Sequence, residues 1–220
     1  MSEVKICGIS TLADYLACAA CDVDYVGFVF FEKSPRHLSF EAASQLASEA
    51  DKSLKGSPKP VPQRVALSVN ADDATIEQII RAAKPDILQL HGHESPERTY
   101  HIKQTFGIPV MPVIKVTSAA DIAAAEAYFS IADRLLFDAA PPKGAALPGG
   151  MGAQFDWTLM QTAQIPLPWM LGGGLDSGNV ARAIEQSGTP CVDVSSGVEK
   201  NRGEKNHSAI SRFVQAAKFG

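Results

Sequence analysis

A thiol and a carboxylate are the chemically loaded groups of this chain. Lys5-Ile6-Cys7-Gly8 closes an apolar run near the N-terminus, and Leu136-Phe137-Asp138 closes another far along the sequence. Side chains of an extended segment alternate between faces, so Lys5 and Cys7 share one face while Val4 and Ile6 take the other. A thiolate removes a proton and a protonated carboxylic acid delivers one. Cys7 and Asp138 facing each other across a pocket therefore make a candidate base and acid. Singly, a strand-end Cys packs and a strand-end Asp caps a loop; the joint pattern with an anion site is what favours chemistry.

That anion site lies late in the chain. Leu171-Gly172-Gly173-Gly174-Leu175-Asp176 follows one apolar run, and Val192-Asp193-Val194-Ser195-Ser196-Gly197-Val198-Glu199 contains the next. Glycines let backbone approach a ligand, and N–H groups at a helix start hold phosphate, so Gly173, Gly174, Ser195 and Ser196 are candidate phosphate contacts. A plain tight turn is the alternative for the triple glycine. Asp193 shares parity with Ser195 and is set to pair with Lys5. Arg36 carries the planar fork that clamps a carboxylate. Gln89 and His91 share parity at the end of a further run and can line a pocket. His91-Gly92-His93 has the spacing of two metal ligands, but no third ligand is evident, so no metal is expected.

The elements that must position these groups alternate. Eight short runs rich in Val, Ile, Leu and Phe begin at Val4, Tyr25, Val65, Ile87, Val110, Leu135, Trp169 and Cys191. Helical patterns lie between and after them, at 14–21, 39–50, 73–83, 95–106, 119–129, 156–164, 179–186 and 208–218. Near-continuous apolar strands are parallel and buried on both faces. Eight βα units predict an α/β fold, a (β/α)8 TIM barrel forming a single domain over 1–220, with a doubly wound sheet as the alternative. Such barrels carry their chemistry at the C-terminal ends of the strands, where every candidate above falls. Two stretches punctuate the pattern. Asp51 to Gln63 reads as an insertion on the stability face, and Pro141 to Gly152, after the sixth strand, as a lid on the active face.

Composition removes other classes. With 45% hydrophobic and 20% charged residues the chain buries a sizeable core, and a net charge of −4 without basic runs argues against nucleic acid. No segment has the roughly 18 uninterrupted apolar residues of a membrane helix, and no secretory signal core is evident. Four oddly spaced cysteines make no disulfide framework, and Cys18 and Cys21 read as a small apolar pair on one helix face. A cytoplasmic protein is expected, as a monomer or a homodimer, since barrels expose several helix faces.

Taken in order, Lys5-Ile6-Cys7-Gly8, Gly27-Phe28-Val29-Phe30 with Lys33-Ser34 and Arg36, Gln89-Leu90-His91-Gly92, the Asp138 strand end, Gly149-Gly150-Met151-Gly152 with Phe155-Asp156-Trp157, the triple glycine, the run Val192 to Glu199 and the segment Gly203 to Asn206 resemble the phosphoribosylanthranilate isomerases of tryptophan biosynthesis. The resemblance implies a barrel that rearranges a small-molecule aldose, phosphoribosylanthranilate, to the ketose without metal or organic cofactor. It implies Cys7 as general base, Asp138 as general acid, and Arg36 on the anthranilate carboxylate. A Cys7 thiolate would need help from Lys5 or the phosphate loops, and burial is expected to raise the Asp138 pKa and keep it protonated. Ala139, Met151, Gly172 and Asn206 depart from the residues common in the family. A lyase or ring-closing synthase barrel is the rival enzyme, but its lysine or glutamate pair is missing: Lys5 is deep and Lys115 is the only other inward lysine. A non-catalytic phosphosugar-binding barrel is the other rival. Ser68-Val69-Asn70 lacks the second glycine-rich turn that a two-phosphate aldose would need.

Overall fold

Of the 220 residues, the computed structural model describes 1–140 and 154–220. The expected lid, Pro141 to Gly152, lies outside the described residues.

The eight expected strands form, and they close. They are β1 (Glu3–Cys7), β2 (Tyr25–Phe30), β3 (Gln63–Ser68), β4 (Ile87–Leu90), β5 (Val110–Val116), β6 (Leu135–Ala139), β7 (Trp169–Leu171) and β8 (Cys191–Val194), all parallel and in sequence order round the barrel. β1 pairs with β8 in the register Lys5↔Asp193 and closes the ring. Closure, not a doubly wound sheet, is the observed arrangement.

Alternation divides the strand residues between two cores. Val4, Ile6, Val26, Phe28, Ala66, Leu88, Val192 and Val194 face outward and join helix residues such as Leu46, Ile76, Ile102 and Phe213 in one apolar cluster. Tyr25, Val65, Ile87, Met111, Val113, Leu136, Met170 and Cys191 fill the barrel interior instead. Both faces of each strand are thus dry, which is why the runs read as nearly continuous apolar sequence rather than as clean alternation.

Helices α1 (Leu12–Ala20), α2 (Phe40–Ser53), α3 (Asp73–Ala83), α4 (Pro96–Phe106), α5 (Ala119–Ala124), α6 (Val180–Ser187) and α7 (His207–Phe219) cover the outside. Their starts are set locally: Thr11, Ser39, Asp72, Ser95 and Asn206 each accept a first-turn backbone N–H, as N-caps do. Two expected helices come out shorter. After α5 the chain tightens into a 3-10 turn at Ala125–Tyr128, and the helix expected over 156–164 is only a 3-10 turn at Trp157–Met160. Pro166 and Pro168 follow closely and steer their preceding residues away from helical dihedrals. A short hairpin of β9 (Glu199–Asn201) and β10 (Glu204–Lys205) follows β8, and the apolar periodicity did not signal it.

The insertion after α2 is largely exposed and is tied to the outside of the barrel: the Tyr15 hydroxyl donates to the Pro62 carbonyl at 3.1 Å and Lys59 reaches Asp22. Cys18 is buried and Cys21 half-buried against the outer core, both as free thiols. Among the described residues no helix is long and apolar enough to cross a membrane.

Candidate active site

At the C-terminal end of the strands the barrel interior changes from apolar to charged. Passing round it, inward positions hold Cys7 and Lys5 on β1, Asp193 on β8, Asp138 on β6, Lys115 on β5 and Gln89 on β4, with His91 just beyond. All of these are buried except Asp193 and Lys115, which are nearly so. Two glycines keep the space open. A Cβ on Gly27 would come within 2.8 Å of Cys7 Sγ, and one on Gly172 would sit 3.4 Å from Asp138 Oδ1 and 3.7 Å from Asp193 Oδ2. Gly172 thus leaves a gap between two carboxylates where most side chains would stand.

Two cross-strand ion pairs organise the end of the barrel. Lys5 and Asp193 are register partners on β1 and β8, with Nζ 2.8 Å from Oδ1. Burial opposes the charge on Lys5, yet the Asp193 carboxylate and the neighbouring Cys7 outweigh it and raise the lysine above its ordinary value. On the other side Lys115 and Asp138 are register partners on β5 and β6, with Nζ 3.1 Å from Oδ2. Lys115 also lies 2.5 Å from His91 Nε2, and Gln89 lies 2.8 Å from His91 Nδ1. Desolvation and the Lys115 charge lower the His91 pKa, so the ring is neutral and accepts from Lys115 through Nε2. Nδ1 then carries the ring proton; the Gln89 atom facing it is the amide Nε2, so the neutral ring calls for the carboxamide to be turned over, which also gives the otherwise unpartnered Gln89 Oε1 that proton to accept.

A third polar cluster is built by the hairpin. Arg36 meets Glu199 through two parallel bonds, Nε to Oε1 at 2.6 Å and Nη2 to Oε2 at 2.8 Å. Lys205 donates to the same carboxylate at 2.8 Å and to the Ser195 carbonyl at 3.0 Å. Ser195 Oγ donates to the Cys7 carbonyl at 2.9 Å, which links the hairpin to β1. Burial would raise Glu199, but Arg36 and Lys205 together hold it at about 2.

The two glycine-bearing loops interlock. Gly173 has φ +91° and Gly174 φ +61°, and a Cβ on Gly173 would press against the Ala139 backbone at 2.6 Å, so only glycine fits there. A Cβ on Gly197 would overlap the Leu175 carbonyl, which locks the loop after β8 against the loop after β7. Among the described residues, neither Gly173 nor Gly174 has a backbone acceptor for its N–H. Those donors, at the mouth and just ahead of α6, suit an anion.

A family model described as N-(5'phosphoribosyl)anthranilate (PRA) isomerase matches residues 4–216. The chain belongs to this family. The isomerase of Rhodopseudomonas palustris (strain BisB5) is 48% identical over 215 residues, covering 98% of this chain and 95% of that protein. The crystal structure of phosphoribosyl anthranilate isomerase from Thermotoga maritima superposes with a TM-score of 0.85 at 33% identity, covering 99% of each chain. A phosphoribosyl anthranilate isomerase in complex with reduced 1-(o-carboxyphenylamino)-1-deoxyribulose 5-phosphate superposes at 0.82 with 32% identity, again over 99% of each chain.

Within this isomerase framework three expectations about the site need revising. Asp138 was expected to be raised by burial. Burial does push it up, but the Lys115 ammonium overcomes it and the carboxyl is held at about 2, so Asp138 is ionised here. The Cys7 thiolate is expected to be helped by Lys5 or the phosphate loops. Lys5 and Lys205 do pull it down, but desolvation, with Asp193 beside it, leaves the thiol above its ordinary value. Arg36 is expected to turn its fork to the anthranilate carboxylate, whereas Glu199 already occupies two of its donors.

Sequence reasoning also passed over groups that matter to this isomerase. Lys115 entered only as a requirement of a rival reaction, although its parity with Met111 and Val113 placed it inward at the end of an apolar strand. Glu199 and Lys205 fell inside segments that carry the resemblance but were given no role, because only the hairpin brings them to Arg36. His93, the second half of the His-x-His spacing, is exposed while His91 is buried.

Proposed function

We propose that the charged end of the barrel performs the Amadori rearrangement of N-(5-phosphoribosyl)anthranilate to 1-(2-carboxyphenylamino)-1-deoxyribulose 5-phosphate, with Asp138 as general acid and Cys7 as general base. Protonation of the furanose oxygen by Asp138 opens the ring to an iminium, as the anilino nitrogen forms the C=N bond. Cys7 thiolate then removes the proton from ribose C2, giving an enolamine that tautomerises to the ketose. One proton enters and one leaves, so the site needs two groups of opposite role within reach of one sugar. The observation that carries this reading is a buried thiol and a buried carboxylate at the same end of the barrel, on β1 and β6, each beside its own lysine.

The remaining assignments follow from position. Gly173, Gly174, Ser195 and Ser196 hold the phosphate mainly by backbone N–H groups, since the Ser195 hydroxyl already serves Cys7 and Lys205. Arg36, braced by Glu199, directs its remaining Nη1 toward the anthranilate carboxylate. Gln89, His91 and Asp193 line the sugar side. Residues 1–220 act as one barrel domain, in the cytoplasm, as a monomer or homodimer that takes a small-molecule substrate and neither nucleic acid nor membrane.

The test is the loss of anthranilate fluorescence when fresh phosphoribosylanthranilate meets the protein in metal-free buffer. Wild type turns over, and Cys7→Ser and Asp138→Asn each lose at least about a hundredfold, the scale of a positioned base or acid. Full activity in either variant would reassign that proton, and no turnover by folded wild type would leave the binding or lyase barrel.

A further inference from the structure

The site poses a chemical problem: the group assigned as acid has no proton of its own, because it stands as a carboxylate against an ammonium. We propose that Lys115 supplies Asp138 with the proton that Asp138 passes to the furanose oxygen. The proposal rests on the acid reading of Asp138 given above. The Lys115–Asp138 pair holds one transferable proton, whether written as ammonium and carboxylate or as amine and carboxylic acid, so making the acid takes nothing from solvent.

Geometry carries the argument. Lys115 and Asp138 are register partners on adjacent parallel strands, both inward, which fixes Nζ at 3.1 Å from Oδ2 by the sheet itself. His91 receives a second N–H of the same ammonium at 2.5 Å and is in turn held by Gln89, so Lys115 cannot swing away from the carboxylate. The groups that face Lys115 are Asp138 from β6, His91 just after β4, Glu94 from the loop that follows and Asp193 from β8. Those facing Asp138 are Lys115 and His91, with the Asp193 carboxylate across the gap that Gly172 leaves. Desolvation dominates at Lys115 and lowers its pKa despite three neighbouring carboxylates, whereas Lys5, with a comparable partner, is raised. A bound substrate removes more water from the pair, and a drier pair favours its uncharged form.

The step balances. An N–H bond of Lys115 breaks as the Asp138 O–H forms; that O–H breaks as the ring oxygen takes the proton and the C1–O bond cleaves, its electron pair staying on oxygen. Lys115 is left as an amine and regains a proton from water, while the Cys7 thiol formed later returns its own. Lys115 acts through Asp138, so it is a positioning residue that also stores the proton.

Lys115→Met and Lys115→Arg test this beside Asp138→Asn, with folding checked by circular dichroism. In Lys115→Met, Asp138 must take its proton from solvent, so the ratio of wild-type to variant kcat rises at least tenfold from pH 6 to pH 8.5; the ratio cancels the ionisation of Cys7. Arginine keeps the charge and the hydrogen bonds but does not give up a proton, so Lys115→Arg loses kcat at least tenfold with KM changed less than about threefold. A pH-independent ratio for Lys115→Met, or a Lys115→Arg kcat within threefold of wild type, would overturn the proposal; if the arginine variant does not fold, the methionine ratio decides alone. An active Asp138→Asn would overturn the acid reading itself, whereas an inactive one beside unperturbed Lys115 variants would sink only the proton supply.

Discussion

Lys5–Asp193 and Lys115–Asp138 are built alike and behave differently. Each joins register partners on neighbouring parallel strands, β1 with β8 and β5 with β6, at 2.8 and 3.1 Å. Lys5 lies a layer below the mouth, completely enclosed, with both Asp193 and Cys7 stabilising its positive form. Lys115 stands at the mouth, partly open, against a neutral His91 that accepts a hydrogen bond without offering a charge. The first pair keeps its charges separated and braces the base; the second has a proton that can move. Residue type is the same in both, so depth and neighbours decide whether a buried ion pair is scaffold or chemistry.

The most severe way to break the comparison is to remove each lysine. Lys5→Met strands Asp193 beside a buried thiol and is expected to cost about 3–5 kcal/mol in urea denaturation, the range for breaking a buried pair, with Lys5→Met/Asp193→Leu recovering much of it. Lys115→Met should cost only about 2 kcal/mol, the linkage contribution of Asp138, because Asp138 near the mouth relieves its charge by taking a proton. Equal losses for the two variants would show that the pairs are equivalent after all.

Acid sharpens it next. Asp138 lies at about 2 against an ordinary 3.8, and Glu199 at about 2 against 4.5. Both folded values are depressed, so each carboxylate's contribution is fully present above its ordinary value and is lost as pH falls through the interval from about 4.5 to 2. Each is worth about 2–3 kcal/mol at neutral pH by linkage. Stability measured from pH 6 to pH 2 should fall by that much more in wild type than in Lys115→Met, where the Asp138 contribution is gone; parallel curves would contradict the assignment.

The smallest effect is expected at the opposite end of the barrel. There Arg134 donates to Glu3 at 3.3 Å and to the Tyr25 hydroxyl at 2.9 Å, and lies over the Tyr25 ring at 5.1 Å. Glu3 is nearly half exposed, so solvent screens the pair. Arg134→Ala should lower stability by about 1 kcal/mol and leave kcat and KM as they are, as measured by melting and by the fluorescence assay. A large kinetic effect would show that the two ends communicate.

Much of this architecture was legible from local pattern. Eight apolar runs separated by capped helices implied the parallel strands, and period-two parity placed Lys5 with Cys7 and predicted the Lys5–Asp193 pair. Positive φ at Gly173 agrees with the reading of a glycine-dependent loop. What was not legible depended on partners distant in sequence. Arg36 and Glu199 are 163 residues apart, and their bond needs both barrel closure and a two-strand hairpin too short to leave a periodic signal. The missing sixth helix was misread because a capping aspartate and an apolar run look helical until the downstream prolines are weighed.

By itself, then, the sequence determined which residues face inward and at which end, because alternation is a property of the extended backbone and needs no partner. It also determined the family, through motifs whose order survives without coordinates. Only the tertiary structure decided the ionisation of the candidate acid and base. Burial argued for a protonated Asp138, and the lysine one strand away reversed it. A pKa is a balance between desolvation and the charges within a few ångströms, and those charges come from strands that the chain reaches only by closing the barrel.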